Sequence, residues 1–279
     1  MRFILKLNNM PIYTNLNLNY HEDPARYYGF EKYENLISNV DLFFGASQHG
    51  NITKPSSNTK ILFATEEQIN ELDPLYCIGN IHHYETYVDE ILSISPLCHT
   101  RSTPLKRQFV FQPFDPEFEP ENKIKIWDII YTGYARLSHV EHIVDTISKF
   151  NYRFVSFNHH RSTNQNVSYK EKLQLVANSK ISVVHNIVAD VIPQLKTRPF
   201  EAAFCKTLIL CRYDKYKTLE KWFTPDEDFI YYNEDKNLES IIQNILDNYD
   251  QYQFMIENAY NKAHKEYTTE QFVKKYLIK

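Results

Sequence analysis

The sequence predicts an α/β protein whose second half is a parallel, Rossmann-like sheet. Two observations carry this prediction. Short apolar runs alternate with amphipathic segments along most of the 279 residues, the pattern of strands layered against helices. After residue 125 strand and helix patterns alternate five times, which demands crossover connections and hence parallel strands.

The elements of the first half are strands at 2–7, 41–46, 60–64, 90–95 and 108–112, with one helix near 31–38. The connecting segments are irregular and rich in Asn, His and Tyr. Residues 112–120, QPFDPEFEP, place three prolines and three acids in nine positions. Such a stretch cannot continue a helix and makes a poor central strand, so it reads as a linker. The organisation expected is a reduced first domain over 1–115, a linker over 116–122, a second domain over 123–265 and a terminal helix over 266–279.

Beyond the linker, IWDIIYT at 126–132 is a buried strand that ends at Gly133. Ser138 and Glu141 form a capping-box pattern ahead of the stripe Val140, Ile143, Val144, Ile147 and Phe150. A strand over 153–157 follows, and a second capping box, Ser168 with Glu171, opens a helix carrying Leu173, Val176 and Ala177. Then come a strand over 181–185, a helix with Pro199 in its first turn and a strand over 207–211. A short helix at 219–223, a strand at 229–232, the helix of Leu238, Ile241, Ile242, Ile245 and Leu246, and two further helices complete the chain.

Composition narrows the function. Lys and Arg number 31 against 35 Asp and Glu, a net charge of −4 with both signs scattered, which argues against a nucleic-acid binder needing a basic face. Cys77, Cys98, Cys205 and Cys211 have neither CxxC nor zinc-finger spacing; free thiols in a reducing compartment fit them best. The first residues lack the apolar core of a signal peptide, and no apolar run has the length to span a membrane. A cytoplasmic protein is expected. Five glycines beside 21 Tyr and 18 Phe, with abundant Asn, Lys and Ile, suggest the AT-rich genome of a virus or low-GC bacterium.

In an open parallel sheet the ligand lies beyond the carboxyl ends of the strands, where strand order switches. Three segments leave such ends: Gly133 to Arg136; His185 and Asn186, leading into Gln194 to Arg198; and Arg212 to Asp214. Lys196 and Arg198 stand just before Pro199, at a helix start that favours a diphosphate. Glu201 either accepts hydrogen bonds from a ribose diol or simply complements the helix dipole. Gly133 is a ligand loop or an ordinary turn, Arg136 a phosphate contact or a solvated side chain, and His185 a ligand contact or a core histidine.

The run RPFEAAFCKTLIL at 198–210 resembles the R-x-F-E-A-x-A-C-G segment of glycosyltransferases related to the spore-maturation protein CgeB, within the wider family 1 and family 4-like GT-B group. The similarity spans roughly 125–279. It includes SKISVVHN at 179–186, Leu219, Trp222, Phe223, the acidic run 225–228, Tyr231, Tyr232 and the helical tail; Pro113–Pro116 is similar to the interdomain crossover. The resemblance implies a GT-B fold, two Rossmann-like domains facing across a cleft, with C-terminal helices packing back on the first. It implies a glycosyltransferase using a nucleoside-diphosphate sugar, with no metal or other cofactor, and a glycan, protein or lipid acceptor.

On matching positions, Glu201 would hold the donor ribose and Arg198 would face the diphosphate. Gly133 would give the phosphates room, Arg136 would add charge, and Tyr231 or Tyr232 would lie near the base. Lys196 and Arg198 would stabilise charge growing on the leaving group, and domain closure would exclude water. The general base of an inverting reaction would come from the first domain, with His49, Glu66 and Glu67 as candidates. Two positions depart from the family: Pro193 stands where relatives carry an earlier glutamate, and Lys206 replaces the Gly after Cys205. The first departure and the small first domain keep a non-catalytic, GT-B-derived sugar- or nucleotide-binding protein as the alternative.

Overall fold

In the computed structural model the described residues are 5–6, 12–14, 28–37, 39–44, 58–64, 68–69, 77–78, 88–100, 104–133, 138–156, 159–188, 192–233 and 237–278. The chain divides into two compact units. Unit 1 comprises Met1–Phe114, Ile187–Leu195 and Thr268–Lys279; unit 2 comprises Asp115–Asn186 and Lys196–Tyr267.

Unit 1 is built on β1 (Leu5–Lys6), β2 (Ile12–Thr14), β3 (Val40–Phe44), β4 (Thr59–Ala64), β7 (Glu90–Ser93) and β8 (Lys106–Phe109), hydrogen-bonded in that order. Only the β1–β2 pair is antiparallel. Strands β4 and β7 are almost wholly buried, as parallel strands covered on both faces must be. A two-strand ribbon of β5 (Gln68–Ile69) and β6 (Cys77–Ile78) lies apart from this sheet. The helix expected near 31–38 is a 3₁₀ helix, Phe30–Leu36, broken by non-helical angles at Tyr33. The strand expected at 108–112 pairs two to three residues earlier, over Lys106–Phe109.

Two distant segments complete unit 1. The chain end returns as a short helix, Thr269–Phe272, whose Phe272 ring packs against Phe30, Phe63 and Phe111 at 5.6, 5.1 and 5.3 Å. Burying such rings is worth a few kcal/mol each. The second segment interrupts unit 2: β12 (Ile187–Val188) and β13 (Ile192–Pro193) pair antiparallel, and the Leu195 amide donates to the Ile94 carbonyl at 2.9 Å. The sequence pattern places 187–195 within the second domain, whereas its contacts put it in unit 1. An excursion held by backbone pairing leaves no side-chain periodicity to read.

The crossover begins with Asp115, whose carboxylate accepts from the Glu117 amide (3.1 Å) and caps a 3₁₀ turn, Pro116–Phe118. Unit 2 follows with β9 (Trp127–Thr132), α1 (Ser138–Ile147), β10 (Tyr152–Val155), α2 (Tyr169–Ala177), β11 (Ser179–Val184), α3 (Arg198–Phe204), β14 (Leu208–Arg212) and β15 (Ile230–Tyr232). Helices α4 (Leu238–Asp247) and α5 (Gln253–Glu266) close it. The sheet order is β10–β9–β11–β14–β15, and every neighbouring pair is parallel. Ile129, Ile143, Ile181, Leu208, Leu210 and Ile242 belong to its buried core.

The α2 capping box is present as the sequence predicts, Ser168 accepting from the Glu171 amide while Glu171 accepts from the Ser168 amide. The short helix expected at 219–223 is instead a succession of turns, its hydrogen bonds limited to such closures as Trp222 and Phe223 amides to the Leu219 carbonyl. Helix α3 ends in a Schellman motif: the Lys206 amide donates to Ala203 and the Thr207 amide to Ala202 (3.0 and 2.9 Å). Lys206 adopts φ +50°, the left-handed conformation that glycine takes most cheaply. The exit geometry is thus kept with a lysine, whose ammonium pairs with both carboxylate oxygens of Glu257 (2.7 and 2.8 Å).

Candidate donor site at the carboxyl edge of the unit 2 sheet

All five strands of unit 2 run the same way, so their carboxyl ends gather on one edge. From β9 the chain steps outward to β10, then returns past β9 to β11. The reversal makes a switch point between β9 and β11, the position where open α/β sheets bind ligands. Crossover helices run back against the strands, so α2 and α3 both begin at this edge.

Arg198, the first residue of α3, reaches the end of β9. Its guanidinium lies over the Tyr131 ring, 5.5 Å from the centroid, and against the backbone of Gly133. A Cβ at Gly133 would stand 1.9 Å from Nη2 and 2.4 Å from Cζ of Arg198. Gly133 also has φ +141°, a conformation that L side chains rarely adopt. The absence of a side chain at 133 therefore makes room for a fixed cation beside the switch point.

On the β11 side, His185 and Asn186 are buried. Arg212 Nη1 lies 2.8 Å from His185 Nε2. A guanidinium can only donate, so the imidazole is neutral and carries its proton on Nδ1. The Asn186 carboxamide oxygen accepts from the Lys196 amide (3.3 Å), and its nitrogen donates to Cys211 Sγ (3.6 Å). Asn186 and Lys196 are the two residues flanking the excursion, so this amide pins the base of that loop. Asp214 accepts from the Tyr216 and Thr218 amides and the Thr218 hydroxyl (3.1, 3.2 and 2.9 Å), which orders the segment after β14. Burial raises its pKa, and those hydrogen bonds oppose the rise. Burial likewise pushes the Cys205 and Cys211 thiols up. Cys98, Cys205 and Cys211 are free thiols.

Glu201 sits in the first turn of α3, buried and turned onto the first turn of α2. Its Oε1 accepts from the Lys172 ammonium at 3.0 Å and the Tyr169 hydroxyl at 3.2 Å. Its Oε2 is buried and has no hydrogen-bond partner among the described residues. Tyr169 and Lys172 are not marked as site residues by the sequence. Their spacing behind the Ser168 cap puts them on one helix face, but nothing local points to a carboxylate about thirty residues further on. Arg136, His49, Glu66 and Glu67 lie outside the described residues. Tyr231 packs edge-on to Phe229 and Tyr213 (4.6 and 5.4 Å), and Tyr232 is fully buried. Among the described residues no group of three or more His, Cys, Asp or Glu side chains could hold a metal ion. No helix there is long and apolar enough to cross a membrane.

Two Rossmann-like units, with a cation seated at the switch point of the second, define a GT-B type protein. The family pattern of glycosyl transferase-like proteins matches residues 136–278, just over half of the chain. The chain belongs to that glycosyl transferase-like family. No curated protein sequence matches it significantly. Among solved structures, S. aureus TarM aligns with a TM-score of 0.60 at 10% identity, over 89% of this chain and 57% of TarM. Anabaena HepE in complex with UDP and glucose aligns with a TM-score of 0.57 at 11% identity, over 84% of this chain and 76% of HepE. Sucrose-phosphate synthase from Thermosynechococcus elongatus gives a TM-score of 0.57 at 9% identity, over 80% and 68%. At such identities the likeness is one of fold, and this chain spans little more than half of TarM.

Proposed function

We propose that the chain transfers a sugar from a nucleoside-diphosphate donor to a glycan, protein or lipid hydroxyl, with the donor held by unit 2. Membership of the glycosyl transferase-like family supports the reaction class. The observation that carries the site is the Arg198 guanidinium lodged against Gly133 at the end of β9. A planar, permanently charged fork at a switch point suits a diphosphate, whose oxygens it can pair bidentately. HepE, of the same fold, was crystallised with UDP, which makes a uridine donor the first to test.

In this reading bond breaking leaves negative charge on the departing nucleoside diphosphate. Arg198 stabilises that charge, and Lys196, whose backbone is fixed by Asn186, adds a second cation. Charge compensation by fixed side chains is electrostatic preorganisation, and it lets the reaction proceed without a metal ion. Glu201 receives the ribose diol. The subgroup is that of the CgeB-related enzymes, and an inverting reaction would need a general base.

The test is release of nucleoside diphosphate from UDP- and GDP-sugars in EDTA. Turnover in the wild type, reduced at least tenfold in Arg198→Ala, supports the proposal; the charge-assisted bonds lost are worth about 1.5–3 kcal/mol. Binding without turnover would favour a non-catalytic binding protein instead. Pro193 favours that second reading, because it stands in β13 where an acid is expected in related enzymes.

A further inference from the structure

Glu201 is arranged asymmetrically. Oε1 receives two donors, Lys172 Nζ at 3.0 Å and Tyr169 Oη at 3.2 Å, which fill its two lone-pair directions. Oε2 receives none among the described residues, although Glu201 is only 2% exposed. A buried carboxylate oxygen without a partner is unfavourable. Such an oxygen is one that a ligand, an ion or a water can complete.

Lys172 is also locked. Its side chain is 18% exposed, and its ammonium stands over the ring of Tyr169 at 4.5 Å. Tyr169 is held edge-on by Phe118 of the crossover turn at 5.5 Å. The order of support is Phe118, Tyr169, Lys172, then Glu201. Each member restricts the next, and Oε2 of the last is an acceptor to spare.

We infer that Lys172 and Tyr169 are positioning residues: by occupying Oε1 they fix the rotamer of Glu201 and reserve Oε2 for the vicinal hydroxyls of the donor nucleoside. This rests on the proposed donor site and names two residues through which that site is tuned. Lys172 touches no part of the donor; it acts through the carboxylate. The consequence is a selectivity effect. Loss of Lys172 lets Glu201 rotate, so the affinity lost is that of the diol contact, whereas the diphosphate contact at Arg198 is unchanged.

The experiment is calorimetric titration of the full chain with UDP and GDP, each beside its 2′,3′-dideoxy analogue. It uses wild type, Lys172→Met, Glu201→Gln, the double variant and Lys172→Arg. For whichever diphosphate binds, Lys172→Met weakens binding on the order of tenfold. The dideoxy analogue, already weaker, is unaffected. In the Glu201→Gln background Lys172→Met has little further effect, and Lys172→Arg restores most of the affinity. Circular dichroism confirms that each variant is folded; should Lys172→Met fail to fold, Tyr169→Phe makes the same test with a milder change. Equal weakening of the nucleotide and its dideoxy analogue overturns the inference, since Lys172 would then act on the phosphates or the fold. Unchanged affinity in Lys172→Met overturns it too. A wild type that binds neither diphosphate overturns the donor site itself, an outcome separate from both.

Discussion

Gly133→Ala is the substitution whose effect can be worked most closely. The added methyl carbon would stand 1.9 Å from Nη2, 2.4 Å from Cζ and 3.0 Å from Nη1 of Arg198, so the guanidinium must shift. Two costs follow. A non-glycine residue held at φ +141° carries about 1–3 kcal/mol of backbone strain. Displacing Arg198 forfeits its contact with the Tyr131 ring, 5.5 Å away, worth roughly 0.5–2 kcal/mol. The two parts separate in a cycle with Arg198→Ala. In wild type Gly133→Ala incurs both losses, whereas in the Arg198→Ala background only the strain remains. Urea denaturation supplies the stabilities, and calorimetry supplies the accompanying loss of diphosphate affinity, on the order of tenfold or more. Equal stability costs in the two backgrounds, with unchanged nucleotide affinity, would refute the packing of this cation on this glycine.

Three further outcomes are expected. Lys206→Gly relieves the left-handed strain at φ +50°, about 1 kcal/mol, and loses a half-buried pair with Glu257 worth about 1 kcal/mol. Its urea midpoint should equal or exceed wild type, while Lys206→Val should fall below it. Thr207→Val removes a buried hydroxyl that donates to the Val176 carbonyl (2.7 Å) and accepts from Lys125 (3.1 Å), and should destabilise by about 1–3 kcal/mol in the same assay. Lys125 provides a pH signature. Burial lowers its pKa from 10.5 to about 8, so above pH 8 the unfolded chain holds a proton that the folded chain has released. Stability from this group therefore rises with pH from about 8 towards 10.5. Tyr249, Tyr260 and Tyr276, pushed up to about 12 by burial, act in the opposite direction only above pH 10. Between pH 8 and 10 wild type should gain stability relative to Lys125→Met; a constant difference would contradict the assignment.

What was legible in the sequence followed from periodicity and local chemistry. Strand β9, helix α1 and the capping box of α2 depend on residues a few positions apart, and each stands close to where the pattern puts it. The return of the chain end was implied by the family resemblance and is carried by the Phe272 packing. The 187–195 excursion escaped because backbone pairing with a distant segment leaves no trace in side-chain order. The site divided along the same line. Arg198, Gly133 and Glu201 are marked by their places at a helix start and a strand end. The grip of Lys172 and Tyr169 on Glu201 joins two helices, and the role of Asn186 as a loop staple depends on Lys196 returning beside it. Such pairings exist only once the sheet has assembled.

In the proposed site a cation at the end of β9 receives the donor diphosphate. A crystal structure of the chain with UDP, or with GDP should that bind more tightly, tests it most directly. Diphosphate oxygens are expected within hydrogen-bonding distance of the Arg198 guanidinium, with the ribose hydroxyls on Glu201 Oε2. A nucleotide bound elsewhere, with Arg198 still packed on Gly133 and touching no phosphate, would contradict it.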